Sequence, residues 1–89
     1  MNLIEINQKL GELNEWSLEG SSIQKTFDFN TFKEAVTFVN NISEIAEEEN
    51  HHPDINIRFT SVSVFLTTHS AKGLTEKDFS VARKIDQIS

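Results

Sequence analysis

The chain has no cysteine, a single proline and only three glycines in 89 residues. Without cysteine there is no disulfide framework, no thiolate nucleophile and no cysteine zinc site. Basic residues are scarce as well: eight Lys and Arg stand against 14 Asp and Glu, for a net charge of −6 at pH 7. That balance argues against nucleic-acid phosphate or an anionic membrane as the direct partner, since both reward positive charge. No apolar run approaches the roughly 18 residues of a membrane span, and the start Met1-Asn2-Leu3-Ile4-Glu5 lacks the basic stretch of a secretory leader. Linker-like tracts and internal repeats are missing too. The expectation is a soluble, cytoplasmic protein of one domain over residues 1–89, large enough for one sheet and a few helices.

What is present is patterned. An apolar content of 37% with 25% charged residues belongs to an ordinary globular protein. Ile6, Leu10 and Leu13 recur at helical spacing. Trp16 and Leu18 alternate, Glu19-Gly20-Ser21-Ser22 makes a turn of about four residues, and Ile23, Phe27 and Phe29 continue on a second strand. Thr31-Phe32-Lys33-Glu34 has capping-box spacing and opens a helix whose inward face is Phe32, Ala35, Val36, Val39, Ile42, Ile45 and Ala46. That helix ends before His52, because the residue preceding Pro53 is pushed away from helical geometry. Ile55, Ile57 and Phe59 form a third strand, Thr60-Ser61 the turn, and Val62, Val64 and Leu66 a fourth strand. A second capping box, Thr75-Glu76-Lys77-Asp78, opens a closing helix with Phe79, Ala82, Ile85 and Ile88 inward. The order α-β-β-α-β-β-α predicts an α+β fold: a four-stranded antiparallel sheet with three helices packed on one face. The other face is left to water or to a second subunit, and Phe65, pointing opposite to Val64 and Leu66, is the apolar residue expected at such a contact.

The chemistry-bearing residues cluster in the second half. A turn at Thr60-Ser61 sets His69 opposite His52 across the last hairpin, about 4.5–5.5 Å apart if the ladder extends so far, with His51 one step back. Glu44, Glu47, Glu48 and Glu49 crowd the end of the long helix, where the dipole disfavours carboxylates. A carboxylate-rich neighbourhood favours a protonated imidazole, hence a proton donor usable near neutral pH. Each feature also has a plainer account. A His-His pair before proline fits a solvated loop, a glutamate run fits a wet helix face, His69 fits a hydrogen-bonded edge residue, and Asp78 is accounted for by its capping box. No His-x-His or His-x-x-x-His pair supplies the usual convergence on a metal, so no metal site is expected.

Taken together, Glu47-x-x-x-His51-His52-Pro53, then Phe59, then His69, then Gly73-Leu74-Thr75-Glu76-Lys77-Asp78 resemble the pterin-4a-carbinolamine dehydratases. The resemblance covers nearly the whole chain, including the leading helix, the Ile23–Phe29 strand, the Leu66-Thr67-Thr68-His69 stretch and the last helix. It implies the same sheet-and-helix fold and a hydro-lyase activity: loss of water from 4a-hydroxytetrahydropterin to give quinonoid dihydropterin, with no metal and no bound cofactor. It places His51, His52 and His69 on the family's active-site histidines, the first and third as proton donors and the second mainly holding the pterin. Glu47, Pro53, Thr67, Thr68 and Asp78 fall among the substrate-binding positions, with the Thr67–Thr68 backbone along the ring. The implied partners are a small-molecule pterin, other copies of the chain in a homodimer or homotetramer, and an aromatic amino-acid hydroxylase in the same pathway.

Three departures stand out. Ile55 replaces an aromatic residue common in the family, Phe59 stands where some relatives have tyrosine, and Ser70-Ala71-Lys72-Gly73 lacks a frequent Gly-Gly pair. They bear on substrate preference more than on activity. Two other readings stay open: an adaptor or dimerisation module, as in some animal relatives that bind a transcription factor, and a protein acting on a molybdopterin-related pterin. An adaptor tolerates His51→Gln, whereas a dehydratase does not.

Overall fold

The structure is a computed structural model describing residues 1–89. Helix α1 (Leu3–Gly11) starts at a capping box in which the Asn2 side-chain Oδ1 accepts from the Glu5 backbone amide and the Glu5 carboxylate from the Asn2 backbone amide. Leu13 lies past its end, yet packs with Ile6 and Leu10 on the core. Strands β1 (Ser17–Glu19) and β2 (Ser22–Asp28) follow. Glu19 pairs directly with Ser22, so the turn is the two residues Gly20-Ser21 rather than the expected four. Gly20 takes φ +60°, which a residue without Cβ adopts freely.

Helix α2 (Phe32–Glu49) begins at the expected Thr31–Glu34 capping box. Its buried face is Ala35, Phe38, Ile42, Ile45 and Ala46. Phe32 departs from expectation and is 53% exposed. Phe38 is the buried aromatic residue of this helix, its ring tilted against Phe27 at 4.7 Å and Phe29 at 4.9 Å. Val36 and Val39 are only half-buried, Val39 against the core. Helix α3 (Glu76–Ile88) buries Phe79, Val81, Ala82 and Ile85. Its last residue, Ile88, runs past the core and is exposed, against expectation.

Strands β3 (Asp54–Arg58) and β4 (Ser61–Leu66) complete an antiparallel sheet of order β1-β2-β4-β3. Ile23, Lys25 and Phe27 of β2 share the inner face with Val62, Val64 and Leu66 of β4, and the buried residues of α2 and α3 close the core over it. Gln24, Thr26, Ser63 and Phe65 face the other way, as the alternation requires. Lys25 is buried because its amine reaches Asp86 of α3 at 2.8 Å, where Asp86 also accepts from the indole of Trp16 at 3.0 Å. No helix is long and apolar enough to cross a membrane.

The last hairpin differs from its sequence-based expectation. Arg58 pairs with Ser61 and Asp54 with Phe65, so the turn is Phe59-Thr60 and the register is two residues short of the expected one. Continued outward, this register sets His52 against Thr67 rather than His69, and β3 begins only at Asp54. The cross-strand histidine pair is therefore not formed. Phe59 occupies the turn at φ +52°, a conformation its side chain gives no hint of.

Candidate active site

The site is built where α2 hands over to β3 and β4 hands over to α3. Asn50 caps α2 in the left-handed region (φ 51°, ψ 43°), with its amide donating to the carbonyls of Ala46 and Glu47. Asparagine tolerates that conformation better than most residues. The His51 amide donates to the Ala46 carbonyl at 3.1 Å, and the reversed chain carries the His51 side chain toward α3.

There His51 Nε2 lies 2.6 Å from Asp78 Oδ1. The Asp78 side chain is 0% exposed and that of His51 11%. Asp78 Oδ2 accepts from the Thr68 hydroxyl at 2.8 Å and from the Thr75 amide at 2.9 Å, the latter contact being one arm of the expected capping box. The Thr68 and Thr75 hydroxyls are 2.8 Å apart. Since Thr68 donates to Asp78, Thr75 donates to Thr68, and no buried side-chain polar atom is left without a partner.

The other expected residues lie around this knot. His52 is exposed and its Nε2 bonds the carboxylate of Glu47. Pro53 is half-buried. Thr67 gives its hydroxyl to the Ser21 carbonyl at 2.7 Å. His69 opens a short 3-10 turn (His69–Ala71) and is exposed, its carbonyl accepting from the Lys72 amide. That turn is clamped at its base by reciprocal amide–carbonyl bonds between Thr68 and Gly73 at 3.0 and 3.3 Å. Side-chain bonds thus join His51, Thr68 and Asp78 directly, with His52 and His69 each one residue away from a member of the group. Asp78, expected among the substrate-binding residues, has both oxygens engaged inside the protein. Thr75, expected as the cap of α3 and part of the matched Gly73–Asp78 motif but not as a site residue, is the fourth member, and nothing local announces its bond to Thr68.

The glutamate run divides by function. Glu47 serves His52, while Glu49 crosses to α3 and accepts from Ser80 at 2.8 Å and Lys84 at 2.9 Å. Those bonds, Lys84 first and Ser80 next, hold the Glu49 carboxyl below its ordinary range, and Glu49 in turn raises the Lys84 ammonium. Glu44, Glu47 and Glu48 line a shallow acidic concavity with Ser43. A second, of about 450 Å³, lies between the start of α2 and Ile88, and a third at the Phe59-Thr60 turn. None is lined by a histidine; His51 is largely buried against Asp78, while His52 and His69 are exposed.

A profile described as pterin 4 alpha carbinolamine dehydratase matches residues 1–88. A protein of Nostoc sp. named "putative pterin-4-alpha-carbinolamine dehydratase" is 51% identical over 86 residues, covering 97% of this chain and 92% of that one. A protein of the same name from Sulfurisphaera tokodaii is 49% identical over 84 residues, covering 94% and 90%. Among solved structures, a transcriptional coactivator/pterin dehydratase from Brucella melitensis superposes with a TM-score of 0.94 at 34% identity, covering 99% of this chain and 96% of that one. With a match from end to end in sequence and in backbone, the chain belongs to the pterin 4 alpha carbinolamine dehydratase family.

Proposed function

We propose that the protein removes water from 4a-hydroxytetrahydropterin by histidine general acid catalysis, giving quinonoid dihydropterin within a cycle that regenerates a tetrahydrobiopterin-type cofactor. Beyond family membership, the observation that carries this reading is the bond between His51 and a fully buried carboxylate, which fixes an imidazole that keeps a small part of its surface exposed. The reaction asks little else of a protein. The substrate carries its own driving group: once the 4a hydroxyl oxygen accepts a proton, the C4a–O pair leaves with water and the N5 lone pair forms the C4a=N5 bond. The cationic ring then returns one proton to solvent. Positioned proton delivery is worth about 10²- to 10⁴-fold.

In this reading His51 and His69 are donors that approach the carbinol carbon differently, and His52, held by Glu47, keeps the ring in place with Pro53 and the Thr67–Thr68 backbone. The chain works in the cytoplasm as a homo-oligomer, with Phe65 on the otherwise polar sheet face at a subunit contact. Light scattering of Phe65→Ser checks that contact, with a lower molar mass expected.

The direct test mixes the purified protein with freshly generated 4a-hydroxytetrahydropterin and follows quinonoid product by absorbance. Wild-type protein is expected to accelerate dehydration of both 4a stereoisomers. His51→Ala and His69→Ala are each expected to slow one isomer more than the other. Equal slowing of both isomers by both changes removes the two-donor assignment, and a His51→Gln variant with full activity removes the histidine mechanism.

A further inference from the structure

The Asp78 carboxylate costs free energy to bury, and a cap for α3 needs only one of its oxygens. Oδ2 performs that task through the Thr75 amide and takes the Thr68 hydroxyl as well. Oδ1 is turned away from the helix terminus to a single partner, Nε2 of His51. We propose that Asp78 is a positioning residue for proton transfer: it holds His51 with a proton on Nε2, so that Nδ1 is the ring atom that gives up a proton to the substrate.

A carboxylate accepts only, so the ring nitrogen facing it carries hydrogen in both the neutral and the charged imidazole. Asp78 is itself held by two further donors, Thr68 and Thr75, which come from the β4–α3 connection and from α3's own start. The Thr75 → Thr68 → Asp78 chain of bonds leaves the carboxylate one orientation, and the ring it holds inherits that orientation. When the 4a oxygen is protonated, the proton leaves Nδ1 and the Nε2–H···Oδ1 bond persists. His51 becomes neutral without a ring flip and is recharged at Nδ1 from water. The same knot ties the base of the His69 turn to the His51 ring, because Thr68 immediately precedes His69 and is clamped to Gly73. Asp78 acts through these groups; it does not touch the substrate.

This inference rests on the dehydratase reading, and its test separates the two. Nitrogen NMR of 15N-histidine-labelled wild-type protein, assigned with a His51→Gln control, reports the neutral tautomer directly and needs no turnover. The expected state of His51 is Nε2–H; finding Nδ1–H overturns the proposal whatever the activity. Asp78→Asn keeps an acceptor for Thr75 and Thr68 but removes the acceptor-only carboxylate. That variant is expected to retain the wild-type circular dichroism, to lose the single His51 tautomer, and to lower kcat about 10²-fold with KM little changed. Asp78→Glu is expected to restore the tautomer in part and kcat with it. If Asp78→Asn fails to fold, the wild-type tautomer and the Asp78→Glu variant decide the matter. An active wild-type protein whose Asp78→Asn variant is equally active, or is impaired in KM alone, overturns the positioning role. A wild-type protein that does not accelerate dehydration overturns the reading beneath it, and the tautomer then judges the orientation by itself.

Discussion

Asp86 shows how a single side chain governs a region without any role in chemistry. It accepts from the Trp16 indole at 3.0 Å and from the Lys25 ammonium at 2.8 Å, so it gathers the segment before β1, the middle of β2 and the end of α3. Lys25 also stands 4.7 Å above the Phe27 ring, and its side chain is nearly buried. Removing one partner of such a pair strands a charge in the interior, which is far costlier than removing both. Asp86→Ala is expected to lower stability by about 2–4 kcal/mol. Lys25→Met in the same background is expected to recover a substantial part, giving a clear coupling in a double-mutant cycle. Urea denaturation checks this, with Trp16, the only tryptophan, as the local fluorophore. Additive losses would show that the two charges act independently. At this scale the sequence discloses residue types but not distant partners. The matched motif singled out His51 and Asp78, yet their bond spans 27 positions and exists only because α2 and α3 pack together. Lys25 likewise finds its partner, Asp86, 61 positions away.

Elements were legible where a periodic face and a terminal signal agreed. The 18 residues of α2 carry a capping box and a continuous apolar stripe, and both survived in the structure with Phe38 exchanged for Phe32. The last hairpin was not legible in register, because Phe59-Thr60 contains none of the Gly, Asn or Asp that mark tight turns. The glutamates at the end of α2 look unfavourable beside the helix dipole, and the packing of the two long helices supplies the compensation. Glu49 bonds Ser80 and Lys84, joining α2 to α3 directly below His51 in the chain. Its carboxyl is held below the ordinary 4.5, chiefly by Lys84, so its contribution is complete above that value and fades as acid protonates the folded state. Lys84 is raised above 10.5, so its share is complete below that value and fades as alkali removes the proton. The thermal midpoint of Glu49→Gln is therefore expected to lie below that of the parent at neutral pH. The gap is expected to close as the pH falls from about 5 toward about 3. A constant gap across that range would show that the bond pair works through packing and not through charge.

The whole molecule is thin, 38 × 23 × 20 Å, with a radius of gyration of 12.6 Å against about 12 Å expected for its length. Its core is one cluster of 15 buried residues drawn chiefly from the central strands β2 and β4 and from both long helices, so no part of the site has independent support. The central strands, β2 and β4, pair Ile23 with Leu66, and the histidines come from the two connections beside them, His51 and His52 between α2 and β3 and His69 between β4 and α3. Phe79 is fully buried and adjoins Asp78 on α3. Phe79→Ala is expected to cost about 3–5 kcal/mol, against a total stability of about 4–13 kcal/mol for a chain of this length. Its activity and its far-ultraviolet dichroism are then expected to fall together on mild warming or in low urea, as one cooperative transition. Asp78→Asn one residue away is expected to behave in the opposite manner, losing turnover while the transition stays near the parent's. The contrast between neighbours distinguishes a fold that merely carries a site from a buried group that directs it. Coincident loss of turnover and dichroism in both variants would reduce Asp78 to a member of the core.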